Sequence, residues 1–179
     1  MSDSAQQLRD SIASENTREE IEVRIRGLMM DPVTNMPMVV LKDVNGDDVL
    51  PIWVGIFEAN AIALEIEKNA PPRPMTHDLM RNLLRSFDVR VTRVVISELK
   101  DDTFFAILWM VRDGEVLSMD ARPSDALALA MRADCPIYVN RSVMDAAKAG
   151  QKGSRDINSD ELRRWLEGLG DDDMGQYKM

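Results

Sequence analysis

The sequence predicts an α+β domain: an antiparallel-rich mixed β-sheet with helices packed against it. Three observations lead there. Strand-like segments fall in two blocks, at 21–54 and 89–121, the first opening with apolar Ile21, Val23 and Ile25 between polar residues, the period of a half-buried strand. Two segments of helical period separate the blocks, at 56–68 and 76–87. The connections inside each block are short, which favours hairpins; a doubly wound parallel sheet would instead alternate strand and helix throughout.

Residues 1–20 hold five acidic and two basic side chains and no long apolar stripe, and read as a polar tail. The domain is expected over 21–149, followed by a linker at 150–158 and a last helix and tail at 159–179. Ile21, Val23 and Ile25 alternate with Glu22, Arg24 and Arg26 in the first strand. Pro37–Val44 and Val49–Val54 form the next two, joined through Asn45-Gly46, a strong hairpin turn signal. Ile56–Lys68 is a helix with Ala59, Ile62, Ala63 and Ile66 on one face, ended by Pro71, Pro72 and Pro74. A second helix starts near Thr76 as N-cap and is expected to bury Leu79, Met80, Leu83, Leu84 and Phe87. Strands resume at Val89–Leu99, Thr103–Val111 and Glu115–Ala121, a meander turned at Lys100-Asp101-Asp102 and Arg112-Asp113-Gly114. Pro123 or Ser124 opens a third helix through Arg132; a short strand (Ile137–Val139) and a helix (Ser142–Ala149) follow. Asn158 to Glu161 resembles a capping box ahead of Leu162, Trp165, Leu166 and Leu169. Trp53 and Trp109 interrupt apolar strands and are expected in the core.

Composition narrows the chemistry. The formal charge of −9 differs from the basic footprint of a nonspecific nucleic-acid coat protein, though it leaves room for a local basic groove. A single cysteine, Cys135, excludes an intrachain disulfide, and with no partner base in sequence it reads as a buried small hydrophobe. The first twenty residues lack an apolar signal region, and no apolar run reaches the roughly 20 residues of a membrane helix. Cytoplasmic residence is therefore the expectation, with no membrane partner. The lone histidine, His77, excludes paired-histidine catalysis within the chain and zinc sites built from several His and Cys. A catalytic metal would sit on carboxylates, which favours Mg²⁺ or Mn²⁺.

Two segments share a format: Arg73-Pro74-Met75-Thr76-His77-Asp78, and Asp120-Ala121-Arg122-Pro123-Ser124-Asp125. Each combines an arginine, a stiffening proline, a hydroxyl near a helix start and an aspartate in the first turn. Free N–H groups and the helix dipole suit an anion there, and an arginine adds a phosphate clamp. Arg73, Thr76, Arg122 and Ser124 are thus candidate substrate-binding residues. Asp120, Asp125 and Glu58 are candidate metal ligands, and Asp120, Asp125, Asp78 and His77 candidate catalytic groups, since imidazoles exchange protons near neutral pH. Every one of these features also has a structural reading. Ser and Thr cap helices generally, first-turn acids need no ligand, and the arginines can pair with neighbouring aspartates.

Leu50-Pro51-Ile52-Trp53-Val54-Gly55, then Glu58-Ala59 with Ala61-Ile62-Ala63, then the string from Arg73 to Leu79, then Asp120 to Ala130 and Pro136-Ile137-Tyr138-Val139, occur in order with regular spacing. Taken jointly, this series resembles the bifunctional nuclease domain family from about Ile21 to Ala147. Ser86-Phe87-Asp88 departs from the Leu-Gly usual before the next strand. The resemblance implies a compact α+β domain that often self-associates, hence a homo-oligomer, and hydrolysis of DNA and/or RNA, with nucleic acid as partner. The alternative is a non-catalytic oligomeric regulatory or anionic-ligand-binding module using the same helix ends without a metal.

Overall fold

Short turns fold the chain into two three-stranded meanders. The computed structural model describes residues 20–31 and 34–153. In it, β1 (Glu20–Met30), β2 (Pro37–Asp43) and β3 (Val49–Trp53) pair antiparallel, as do β4 (Arg90–Lys100), β5 (Thr103–Arg112) and β6 (Glu115–Ala121). The Asn45-Gly46 loop is closed by the Asp43 N–H donating to the Asp48 carbonyl at 2.8 Å. The β5–β6 turn places Asp113 and Gly114 at φ 50° and 81°, the two positive angles that the tightest hairpin turns require.

A four-residue strand joins the meanders. β7 (Ile137–Asn140) runs antiparallel to β1 and parallel to β4, giving one seven-stranded sheet in the order β3-β2-β1-β7-β4-β5-β6. The helices α1 (Ile56–Ile66), α2 (Thr76–Ser86), α3 (Pro123–Ala133) and α4 (Arg141–Gly153) pack against it. The fold is thus the expected α+β, mixed and antiparallel-rich. Helix α3 is the hub, touching α1, α2, β4 and β5, while α4 lies on β3, β4 and β7. Ala126 to Ala130 are all buried, because α3 has neighbours on almost every side. They join Val39, Leu41, Val94, Ile96, Val139 and Met144 in one apolar cluster. Among the described residues, no helix is long and apolar enough to cross a membrane.

Three local expectations are corrected. First, α2 turns its apolar stripe outward: Leu79 is 63%, Leu83 54% and Phe87 58% exposed, Met80 is exposed too, and only Leu84 packs on the core. The side chain α2 buries is His77, because α2 lies against α3 with its polar edge. Second, Met75, not Thr76, is the N-cap, and Asp78 accepts its backbone N–H at 3.0 Å. Third, the tryptophans lie outside the helix-covered core. Trp53 is exposed beside buried Ile52 and donates its indole N–H to Asp31 at 3.1 Å. Trp109 alternates with buried Leu108 and Met110, so it faces the helix-free side, where the Arg93 guanidinium lies 5.1 Å from its ring. The capping-box residues 158–161 and Trp165 lie outside the described residues.

Arg132 bolts the helical layer together. Its side chain, 3% exposed, donates from Nε to Asp78 Oδ1 at 2.9 Å, from Nη1 to the Ala128 carbonyl at 2.9 Å, and from Nη2 to the Ala61 carbonyl at 3.0 Å. One guanidinium thereby ties α3 to both α1 and α2. Burial alone would push the Asp78 carboxyl up. The Met75 N–H and the Arg132 ion pair outweigh it, with Arg81 adding a little, so the net shift is downward.

Removing one partner of a buried pair strands the other. Arg132→Met is expected to cost about 3 kcal/mol or more, a fall in Tm of roughly 6–12 °C for a chain of this size, read by thermal unfolding at pH 7. Asp78 should also make the fold acid-labile. Its folded carboxyl titrates below its ordinary value of 3.8, so its contribution is complete above that value and is lost as pH falls through the folded one. Unfolding curves from pH 6 down to pH 2.5 should therefore steepen below about pH 4, and Asp78→Asn should flatten that slope while lowering stability at pH 7.

Candidate functional site

Three helices begin at one place. Gly55 precedes α1, and Glu58 stands in its first turn; His77 and Asp78 stand in the first turn of α2; Arg122 caps α3, with Pro123 at its first position and Asp125 in its first turn. Proline there fits because the first helical N–H has no intrahelical partner. Each helix start carries an acid, which complements the positive end of its dipole.

The side chains form a continuous line. Glu58 Oε1 accepts from Arg122 Nη1 at 2.9 Å, Asp125 Oδ2 accepts from Arg122 Nε at 2.7 Å, and Asp125 Oδ1 lies 3.1 Å from His77 Nε2. The two arginine-proline strings therefore meet, joined through His77 and Asp125. Arg122 is 64% exposed, and Nη2 is the guanidinium nitrogen that the two acids leave open. His77 is nearly buried behind Asp125. A Cβ at Gly55 would meet the Glu58 carboxylate, so a larger residue there would displace that side chain from its place beside Arg122.

Electrostatics follow from the pairing. Burial pushes the Asp125 carboxyl up, but the Arg122 hydrogen bond and then His77 overcome this and hold it below the usual carboxylate range. Asp125, and after it Glu58, hold the Arg122 proton more firmly than usual. Cys135 takes no part: burial, with Asp134 beside it, pushes its thiol up to about 11, so it stays protonated and weakly nucleophilic at neutral pH.

The other candidates fall elsewhere. Asp120 is exposed opposite Ile107, whereas its neighbour Ala121 pairs with buried Ala106. Strand alternation thus sends Asp120 to the helix-free face, apart from Glu58 and Asp125. Asp78 has both oxygens engaged, by Arg132 and by the Met75 N–H. Arg73 and Thr76 are exposed without a side-chain partner among the described residues, and Ser124 is buried in the first turn of α3. No group of three or more His, Cys, Asp or Glu among the described residues is placed to hold a metal ion. Glu58 and Asp125 converge on a guanidinium, so as they stand they do not fit a divalent cation.

Sequence reasoning overlooked Arg132 and Gly55. A basic residue in a last helical turn reads as an ordinary partner for the dipole. The available signal was its spacing: Ser124, Ala128 and Arg132 follow at intervals of four, and all three are buried.

The model of the bifunctional nuclease domain matches residues 39–152. An uncharacterized protein of Mycobacterium tuberculosis is 38% identical over 154 residues, covering 83% of this chain and 92% of its own length. Bifunctional nuclease 1 of Oryza sativa subsp. indica is 30% identical over 109 residues, 59% of this chain and 33% of the rice protein. Bifunctional nuclease 1 of Arabidopsis thaliana is 28% identical over 109 residues, with 59% and 34% covered. The matched span runs from β2 to α4 and contains all three helix starts with the residues that join them, and on this ground the chain belongs to the bifunctional nuclease domain family.

Proposed function

We propose that the chain hydrolyses phosphodiester bonds of DNA or RNA at the meeting point of α1, α2 and α3. The observation that carries this reading is the Glu58–Arg122–Asp125–His77 line in a member of this family. Arg122, aimed by two carboxylates, offers its open Nη2 to a phosphate oxygen and offsets charge that develops in the transition state. Attacking water gives its oxygen to phosphorus and its proton to the Asp125–His77 pair. That pair returns a proton to the leaving oxygen. Exposed Arg73, beside the start of α2, is a further phosphate contact. A divalent ion could reach Glu58 and Asp125 only if Arg122 left them, so no step here runs through one.

The engagement of Glu58, Asp125 and Asp78 by arginines favours a second reading, an anionic-ligand module without catalysis. Incubation with single- and double-stranded DNA and RNA, in Mg²⁺, Mn²⁺ or chelator, separates the two. Arg122→Ala and Asp125→Asn should retain their fold and lose about a hundredfold in rate, whereas Asp120→Ala should keep most of it. Cleavage that survives in folded Arg122→Ala and Asp125→Asn would remove the nuclease reading of this site. No cleavage under any condition, with phosphate raising Tm, would favour the second reading.

The partner we propose for the apolar stripe of α2 is a second copy of the chain. Leu79, Leu83 and Phe87 repeat every four residues, so an antiparallel copy sets Leu83 on Leu83 and Leu79 on Phe87. The edge strand β6 also exposes Leu117 and Met119 on the helix-bearing side, and exposed apolar edges favour association. Light scattering should report an oligomer for the native chain and a monomer for Leu83→Asp; unchanged mass in the variant would reject the stripe as the interface.

A further inference from the structure

The far end of α2 carries a second feature that the site above does not use. A cavity of about 360 Å³ lies between the end of α2 and the start of β4, lined by Arg81, Arg85, Asp88, Arg90 and an apolar floor that includes Leu84 and Ala133. Arg85 and Arg90 have no side-chain hydrogen bond or ion pair among the described residues. Arg81 bonds only to the neighbouring Asn82 amide oxygen, at 3.1 and 3.3 Å. Arginines 93, 122, 132 and 141, in contrast, all hold carboxylates. In a chain with 31 acidic and 22 basic residues, three arginines sharing one cavity with a single aspartate is a local reversal of charge. An apolar floor strengthens their attraction for an anion by lowering the local dielectric.

The geometry points to a phosphate-binding pocket. Guanidinium groups suit tetrahedral oxyanions because their planar donors can bind two oxygens at once. Position supplies the phosphate source. His77, Arg81 and Arg85 follow one another every four residues, so they share one face of α2, and the pocket lies about 12 Å along the helix from the catalytic line. A nucleic-acid strand cut at Arg122 would carry neighbouring phosphates over this distance. That assignment of the source rests on the nuclease reading; the pocket itself does not. Leu79 and Leu83 point about 160° away from Arg81 and Arg85 respectively, so a second copy on the apolar stripe leaves the pocket open.

Two measurements on the full chain test this. In the first, inorganic phosphate is titrated while arginine side-chain N–H signals are followed by NMR; the Arg85 and Arg90 signals should shift and saturate. In the second, anisotropy of a labelled single-stranded oligonucleotide is measured against salt. Arg85→Gln with Arg90→Gln should weaken binding and lower the slope of log K on log salt by about 1.4, or 0.7 per lost phosphate contact. Unshifted Arg85 and Arg90 signals would overturn the pocket. An unchanged slope with shifted signals would keep the pocket but assign it to free phosphate. A chain that binds phosphate here yet cleaves nothing upholds the pocket and fails the nuclease reading. A chain that cleaves while its arginine signals and salt slope ignore phosphate and the double substitution does the reverse.

Discussion

Arg132 reaches from the end of α3 to a carboxylate on α2 and a carbonyl on α1, and the helical layer is organised around that reach. A guanidinium this deeply buried is tolerable only when its donors are satisfied, since an unpaired buried charge is very costly. Nε, Nη1 and Nη2 each find an acceptor at 2.9 to 3.0 Å. The geometry that satisfies Arg132 also fixes the separation of α1, α2 and α3. The starts of those helices are consequently held together, and a structural ion pair becomes the frame of the candidate site.

The site itself is a second, more open line of charge on that frame. Glu58, Arg122, Asp125 and His77 come from three different helices, and their order of exposure matters. Arg122 faces solvent, Asp125 is half-buried and His77 lies behind. A ligand arriving from solvent therefore meets a cation first, although the chain as a whole is acidic. Three helix dipoles directed at the same point act in the same sense. The first-turn acids balance them in the absence of a ligand, and Gly55 supplies the space in which Glu58 can do so.

Helix α2 serves three surroundings at once. The face that buries His77 against α3 continues along the helix to Arg81 and Arg85 at the cavity, and the outer face exposes Leu79, Leu83 and Phe87. A helix that only covered a core would need one apolar face. The strong segregation of apolar from charged residues in α2 suits a helix held by a few polar contacts and left with an apolar face for another surface.

The sequence by itself determined the local elements, because their signals are local. Strand alternation in β1, the Asn45-Gly46 turn, the prolines after α1 and Pro123 at the first position of α3 all act within a few residues. The paired motifs around Arg73 and Arg122 also fall at the starts of α2 and α3. Tertiary structure alone decided the rest. Which way the stripe of α2 faces depends on what α3 offers it, so amphipathicity showed that Leu79 and Leu83 share a face but not that this face is exposed. The four residues of β7 are too short to announce a place between β1 and β4, and that place depends on strands more than forty residues away. Asp120 and Asp125 are neighbours in the chain, yet the pleat of β6 and the start of α3 send them to different sides. Glu58 and Arg122 are 64 residues apart and meet only because packing brings the helix starts together. Local chemistry chose the residues, and long-range packing chose which of them touch.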